Sequence, residues 1–514
     1  MGGALVKDEV KVLIRAVGSR FSTCGVNVAV RMLLTMRKPP RPSPTEQRLL
    51  MEYDAEPIKE KLTGLGGLPL LVETYRALGL PSSVKRNVSI KQRDRGFDEA
   101  TYLESFVILN AAGGECLEDF EPLRQDEGLI AMINHPMPSP EAARMFLNAF
   151  HEEAKIVEAR QALPLGHVSY IPEESCALQG LGQVNQDLIG ELGRRCADQK
   201  IATIDLDGTI IESWKKQAQP TYKGGKGYQP ILALWAEMDV LVADEFRDGN
   251  VPGLQAPLRV AQRAFTALPG TVTEYYFRGD SACHEQQLVR WLRDEKRSSG
   301  PEGVIHFAIS VRMNPTLKKK IAALPEHLWK PYQDSETEST KECADVSNYW
   351  PEADELKECG PLRYVAIRIR KRQGALFADG NEVKHYAVVS NQWEWPAKKL
   401  LEWHREKAGS IEAAHDVLKN ELAAGVMPCS RFGANASWLR MAVITYNLLS
   451  ALKRLALPAN LLTARPKRMR FLIFNTAGRI VNHARRMVVK LGRVTDQFLE
   501  WWQAVRQLPT LSQT

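Results

Sequence analysis

Apolar positions change their period repeatedly along this 514-residue chain. From Ile58 to about Arg195 they recur at three- and four-residue spacing, as in Tyr102–Ala111 and Ala142–Phe150, and that spacing lines one face of an α-helix. Ser139-Pro140 ahead of the second run is a helix entry, a serine N-cap followed by proline at the first helical position. The middle of the chain alternates instead. Thr203–Ile211, Ile231–Glu237 and Val240–Phe246 read as three strands joined by short turns. A helix over Ala256–Leu268, a strand at Thr273–Gly279, a helix at His284–Asp294 and a strand at Val304–Val311 follow. Three consecutive strands and then alternating helix and strand is the order expected of an RNase H-like mixed sheet within a multidomain α/β protein. After Met313 the alternation breaks. Charged segments and an Asp-, Glu- and Ser-rich stretch around Asp334–Ser339 accompany two strand-like runs, Leu362–Arg370 and His385–Ser390. A mostly β insertion is expected there, after which a helix carrying Glu412 resumes the core.

These changes divide the chain into six parts. Residues 1–50 are an N-terminal extension and proline-rich linker, 51–195 a helical DNA-binding domain, and 196–313 the first part of the RNase H-like core. Residues 314–385 are the β-rich insertion, 386–450 the second part of the core with the glutamate helix, and 451–514 a basic helical C-terminal region. Lys38–Thr45 (KPPRPSPT) marks the first boundary, because its prolines neither continue a helix nor join a sheet. Met32, Met36 and Met51 all stand as candidate starts. Lys85, Arg86, Lys91, Arg93 and Arg95 precede the Tyr102–Ala111 helix and give the helical part a basic approach suited to DNA.

Composition is that of a globular protein long enough for about three cores. No apolar run is long enough to cross a bilayer, and Lys7, Asp8, Glu9 and Lys11 interrupt any secretory signal. The eight cysteines are scattered from Cys24 to Cys429 without a CxxC pair, which reads as reduced thiols. A cytoplasmic, nucleoid-associated protein is expected. The net charge of +7 is modest, but its distribution is not. Between Leu422 and Thr495 there is no Asp or Glu, whereas Arg431, Arg440, Lys453, Arg454, Arg465, Lys467, Arg468, Arg470, Arg479, Arg485, Arg486, Lys490 and Arg493 all fall there. Such a run binds phosphate well, or else forms a solvated helical face.

Three carboxylates carry the candidate chemistry. Asp207 lies in Thr203–Ile211 (TIDLDGTII), Asp280 closes Thr273–Asp280 (TEYYFRGD), and Glu412 opens Glu412–Leu422 (EAAHDVLKNEL). Two acids on strands and one on a helix, distant in sequence, are how a fold assembles two divalent metals for phosphoryl transfer on nucleic acid. Lys419 follows Glu412 by two helical turns, so both share one face about 10 Å apart; the ammonium suits a nearby DNA phosphate, or an exposed ion pair. Asp205 is the second choice for the first acid. Asp205-Leu206-Asp207-Gly208-Thr209 is also the nucleophile motif of haloacid dehalogenase-like phosphohydrolases, in which Asp205 would attack phosphorus, Asp207 act as general acid, and Asp280 with Glu285 form the metal loop. That reading leaves Glu412, the basic tail and the helical N-terminal part without a role. Lys223 and Lys226, flanking Gly224-Gly225 near the first acid, suit backbone phosphate or a solvated hairpin tip. His415 and Asp416 stand one turn beyond Glu412, where they can support it; His284 reads as structural, lacking a second ligand at metal spacing.

Taken together, Asp207-Gly208-Thr209, Tyr228-Gln229-Pro230 in Lys226–Leu232, Arg278-Gly279-Asp280-Ser281, Glu412-x6-Lys419, Arg431–Trp438 (RFGANASW) and Tyr446-Asn447-Leu448-Leu449 resemble the DDE transposases of bacterial insertion sequences, most of all the insertion sequence 1380 group. The resemblance spans roughly residues 51–490. It implies a DNA transposase that binds the ends of a mobile element, cuts them and joins the 3′ ends to target DNA. By that resemblance Asp207 bridges two Mg²⁺ ions (Mn²⁺ as substitute) and Asp280 and Glu412 each complete one site. Arg278, Lys419, Lys223, Lys226, Arg431, Lys467, Arg468 and Arg470 would contact DNA, Trp329 or Trp350 in the insertion would stack on an extruded base, and a homodimer would pair two ends. Related enzymes carry Tyr and Arg seven and four residues before the glutamate, where this chain has Arg405 and Ala408, so a hairpin route is not implied. A non-catalytic, domesticated relative is the other reading, and the intact acids count against it.

Overall fold

The computed structural model describes residues 51–509, apart from residues 52, 55, 57, 92–95, 335–338, 348, 350–360, 372–376, 378–382, 485 and 494. The N-terminal extension, Arg93, Arg95, Arg485 and Trp350 therefore lie outside the described residues. The chain divides at Lys59/Glu60, and every element below belongs to the second unit, Glu60–Thr514.

Strand β1 (Ile201–Gly208) is buried from Ala202 to Leu206, with Ala202, Ile204 and Leu206 on its apolar face and Thr203, Asp205 and Asp207 on the other. Beside it β2 (Ile231–Trp235) runs antiparallel, with β3 (Val240–Glu245) antiparallel beyond. On the other side β4 (Glu274–Gly279) and then β5 (Ile305–Ser310) run parallel to β1. The order β5-β4-β1-β2-β3, with β2 alone of these five reversed, has the strand succession expected of an RNase H-like sheet. Helices Pro257–Thr266 and Gln286–Arg293 make the crossovers to β4 and β5.

The insertion extends this sheet. Strands β6 (Lys330–Asp334), β7 (Ser339–Asp345), β8 (Arg363–Lys371) and β9 (Val383–Ser390) form an antiparallel series, and β9 pairs with β5. Among the described residues the result is one nine-stranded sheet.

Two long helices follow the sheet, α1 (Ala397–Glu421) and α2 (Phe432–Ala456). Helix α2 is buried from Gly433 through Lys453, as a helix apolar on all sides must be. It lies between the sheet and the helical N-terminal region, and all three share one hydrophobic core. Trp438 meets Phe106 edge to face at 6.0 Å. The N-terminal helices start as their sequences dictate: Ser139 Oγ accepts from the Ala142 amide at 3.1 Å and Asp98 from Thr101 at 2.8 Å.

The shared motifs are packing joints. Asn447 Oδ1 accepts from the Leu241 amide at 2.7 Å, while its Nδ2 donates to the Leu241 carbonyl and to Asn185 Oδ1, both at 2.8 Å. One side chain thereby covers the outer edge of β3, which would otherwise present unpaired backbone groups. Asn435 donates to the buried Tyr228 hydroxyl at 3.2 Å, and a side chain at Gly433 would meet the Phe150 carbonyl at 2.4 Å.

The basic C-terminal region departs from the helical expectation. Gly478–His483 and Arg486–Leu491 form a hairpin that pairs with Leu62–Thr63, and a helix returns only at Asp496–Arg506. The β-branched residues of RIVNH and RMVVKL favour strands. Much of the basic run answers acids inside the fold. Arg440, 3% exposed, pairs with Asp244 of β3 and with Glu174, each at 3.0 Å. Burial works to raise the Glu174 carboxyl, but Arg440 and Arg263 outweigh it and hold the group at about 2. Lys453 pairs with Asp239 at 3.2 Å, and Arg454 donates to the Met238 carbonyl.

One buried pair fixes α1 over the sheet. Asp205 and Arg278 are register partners on the parallel strands β1 and β4, joined bidentately at 2.6 and 2.9 Å. Arg278 also donates to the Trp403 carbonyl at 2.7 Å and to Glu406 at 2.9 Å, and Ser410 donates to Asp205. Trp403, Glu406 and Ser410 all belong to α1. Replacing Arg278 with Leu leaves Asp205 buried and unpaired, a loss of about 3–5 kcal/mol. Calorimetric or urea unfolding should show this loss, and adding Asp205→Leu should recover much of it; a single variant as stable as wild type would contradict the clamp.

Candidate active site

Asp207 and Asp280 stand at adjacent strand ends. Asp207 is two residues beyond Asp205, so a regular strand directs both carboxylates to the face covered by α1. Asp280 follows the last residue of β4 and accepts from the Ala282 amide at 2.9 Å, capping a short 3₁₀ turn. The turn closes tightly: a Cβ on Gly279 would lie 2.4 Å from that of Cys283. Burial raises the Asp280 carboxyl, and the charge of Asp207 raises it further, against the pull of Lys407. The two acids therefore repel each other across the cleft.

Lys407 answers that repulsion. It projects from α1, is 7% exposed, and holds its Nζ 3.2 Å from Asp207 Oδ2. This lysine is not among the residues expected from the sequence. Its signal was a lysine in register with the apolar face of α1, between Leu400 and Ile411.

Lys419, in the last turn of α1, donates to Thr209 Oγ1 at 3.0 Å. Thr209 is in turn held by its amide to the Pro230 carbonyl at 3.0 Å. The lysine thus stands beside Asp207-Gly208-Thr209. Glu412 is exposed and makes no hydrogen bond or ion pair recorded among the described residues. No set of three acidic, His or Cys side chains able to hold one ion occurs among the described residues, so Glu412 is not gathered with Asp207 and Asp280. Helix geometry gives the reason: Lys407 and Glu412 are five residues apart, about 140° round the helix, and Lys407 takes the face toward Asp207. Two neighbouring carboxylates fit a hard divalent cation by donor chemistry.

Several expected contacts fall elsewhere. Asp205, the second choice for the first acid, is sealed by Arg278 and Ser410 and is 0% exposed, so it has no path to attack phosphorus. Arg278 is 2% exposed with its guanidinium committed to Asp205, Glu406 and Trp403, which leaves no face for DNA. Trp329 is buried, with the Arg368 guanidinium 4.3 Å above its ring, so it does not present a surface to a base. Arg470 donates to the Ala111 and Asn110 carbonyls at 2.8 and 2.7 Å and also to that of Glu421. It closes the C-termini of two helices, a role suited to a cation. Lys223, Lys226, Arg431, Lys467 and Arg468 are exposed or open to solvent at the surface, and Arg431 borders a polar hollow with Arg160, Tyr170 and Asp248.

Burial favours the neutral form of both histidines singled out in the sequence, His284 and His415. His284 is pushed down to about 4 and accepts from the Arg312 amide; His415 is pushed down to about 3, with nearby Lys419 and Lys407 adding to the effect. Asp416 pairs with Arg465 rather than supporting Glu412.

Residues 58–513 match the family model described as transposase DDE domain group 1. No curated protein matches the chain. Among solved structures, the cryo-EM structure of a piggyBac transposase synaptic complex with hairpin DNA is similar at a TM-score of 0.42 and 9% identity, over 86% of this chain and 80% of that one; so low a likeness bears no weight here. The family match takes in both strand-end acids, Lys407, Glu412 and Lys419, and the chain belongs to the DDE transposases of domain group 1.

Proposed function

We propose that the protein acts at the ends of a bacterial insertion sequence related to the insertion sequence 1380 group, cleaving them and joining the freed 3′ ends to target DNA as a homodimer. The observation that carries the chemistry is the placement of Asp207 and Asp280 at adjacent ends of parallel strands, with the Lys407 ammonium 3.2 Å from Asp207. A cation already balances the two acids there, which marks the place where positive charge is stabilised. In this proposal Asp207, Asp280 and Glu412 hold Mg²⁺, or Mn²⁺ in its place. When bound, the divalent ion supplies Lewis-acid polarisation of the scissile phosphoryl group and favours a nucleophilic oxygen.

The chain's own residues do the rest. Lys407 must withdraw from Asp207 before the acid pair can take a metal, and Glu412 must approach it. Lys419, beside Thr209, is placed to hold a phosphate next to the cleaved bond. Exposed Arg431, Lys467 and Arg468 extend positive surface for backbone contacts. A phosphohydrolase acting through Asp205 is disfavoured by the sealing of that carboxylate.

Two outcomes are expected. With Mg²⁺ or Mn²⁺ the wild type should nick DNA carrying the gene's own flanking ends, while Asp207→Asn, Asp280→Asn and Glu412→Gln bind it without cutting. Cleavage by Glu412→Gln at the wild-type rate would remove the glutamate from the triad. Removing the internal cation with Lys407→Met should make Mn²⁺ bind several-fold more tightly in calorimetric titration, because one positive charge no longer competes at the acids. Unchanged or weaker binding would contradict the competition.

A further inference from the structure

The segment leaving β1 carries a second surface that neither the acids nor the helices use. Ile211–Glu212, Gln219–Pro220 and Lys226–Tyr228 form a small three-stranded sheet that begins four residues after Asp207. Its base is fixed. Ile211, Ser213, Ala218 and Tyr228 are buried, and a side chain at Gly227 would meet the Ile211 carbonyl at 2.2 Å. Its tips are not covered: Trp214 is 88% exposed and Tyr222 75% exposed. Two large aromatic faces held in solvent on an anchored scaffold have no packing purpose in this chain.

Their surroundings are basic. Residues 211–228 contain Lys215, Lys216, Lys223 and Lys226 against the single acid Glu212, and Lys216, Lys223 and Lys226 are exposed. Aromatic faces flanked by lysines are the composition that binds unpaired nucleic acid, the rings stacking on bases and the ammonium groups following the backbone. Fully paired duplex keeps its base faces stacked, so such rings engage only bases that are already unpaired or drawn out. Trp214 lies seven residues beyond Asp207, which caps their separation at about 25 Å of extended chain, within a few nucleotides of a phosphodiester held at the acids. The insertion offers no such surface at Trp329, whose ring is buried under Arg368.

We infer that Trp214 and Tyr222 form a stacking platform for unpaired bases flanking the cleaved bond, with Lys215, Lys216, Lys223 and Lys226 holding the adjoining backbone. The inference rests on the transposase reading and adds the strand feature that the site recognises.

The test uses the full chain and fluorescence anisotropy with a labelled oligothymidylate and a labelled duplex of mixed sequence. The double variant Trp214→Ala/Tyr222→Ala should bind the single strand about tenfold or more weakly and the duplex nearly as wild type, with an unchanged melting temperature because both side chains are exposed. Trp214→Phe/Tyr222→Phe should restore single-strand binding. Single-strand affinity equal to wild type in the alanine variant, or an equal loss for both DNA forms, overturns the platform. If wild type cleaves the flanking ends and the alanine variant still binds single strands fully, the platform alone falls; if wild type binds neither DNA, the transposase reading falls with it.

Discussion

The Asp205–Arg278 pair is the constraint on which the cleft depends. It joins the two parallel strands whose ends carry Asp207 and Asp280 and pins α1 across them through Trp403, Glu406 and Ser410. Burying both charges is costly, and only a complete set of partners makes it tolerable. That set comes from residues more than 70 and 200 positions apart in the chain. Because the pair fixes strand and helix together, Lys407 and Lys419 on the same helix reach Asp207 and Thr209 without further support. The carboxylate that looks most nucleophilic in the DLDGT motif is therefore the one that holds the fold, and its neighbour two residues later pairs with Lys407 at the strand end.

The cleft is balanced for a cation. Burial and mutual repulsion make two adjacent carboxylates unfavourable, and Lys407 offsets this at Asp207. A lysine in that position stabilises Asp207 as an anion, and on the proposed reading a metal would enter by displacing it. Glu412 is exposed on α1 and, on the proposed reading, joins the acids only after a rearrangement.

Much of the core was legible in the sequence because β1 to β5 are short, apolar and separated by clear turns, and because Ser139-Pro140 announces a helix. The placement of Asp207 and Asp280 near strand ends was readable for the same reason. The fates of the cations were not. Arg278, Arg440 and Arg470 look alike in a basic sequence, yet each answers an acid or a carbonyl brought close only by folding. Trp329 likewise gave no sign that Arg368 would cover it. The C-terminal hairpin was hidden because cations interrupt its apolar alternation, and Lys407 because a lysine on a helix ordinarily faces water. Trp214 and Tyr222 became notable only once their exposure was known.

The central claim is that Asp207 and Asp280 form the cation site and that Lys407 yields it. Anomalous diffraction from crystals of the full chain grown with Mn²⁺ and an element-end duplex tests this most directly. The expected result is manganese between Asp207 and Asp280, Glu412 drawn toward it, Lys407 Nζ displaced and the Asp205–Arg278 pair intact. Manganese bound to Asp205, with Arg278 expelled, or an acid pair still held by Lys407 at saturating metal, would contradict it.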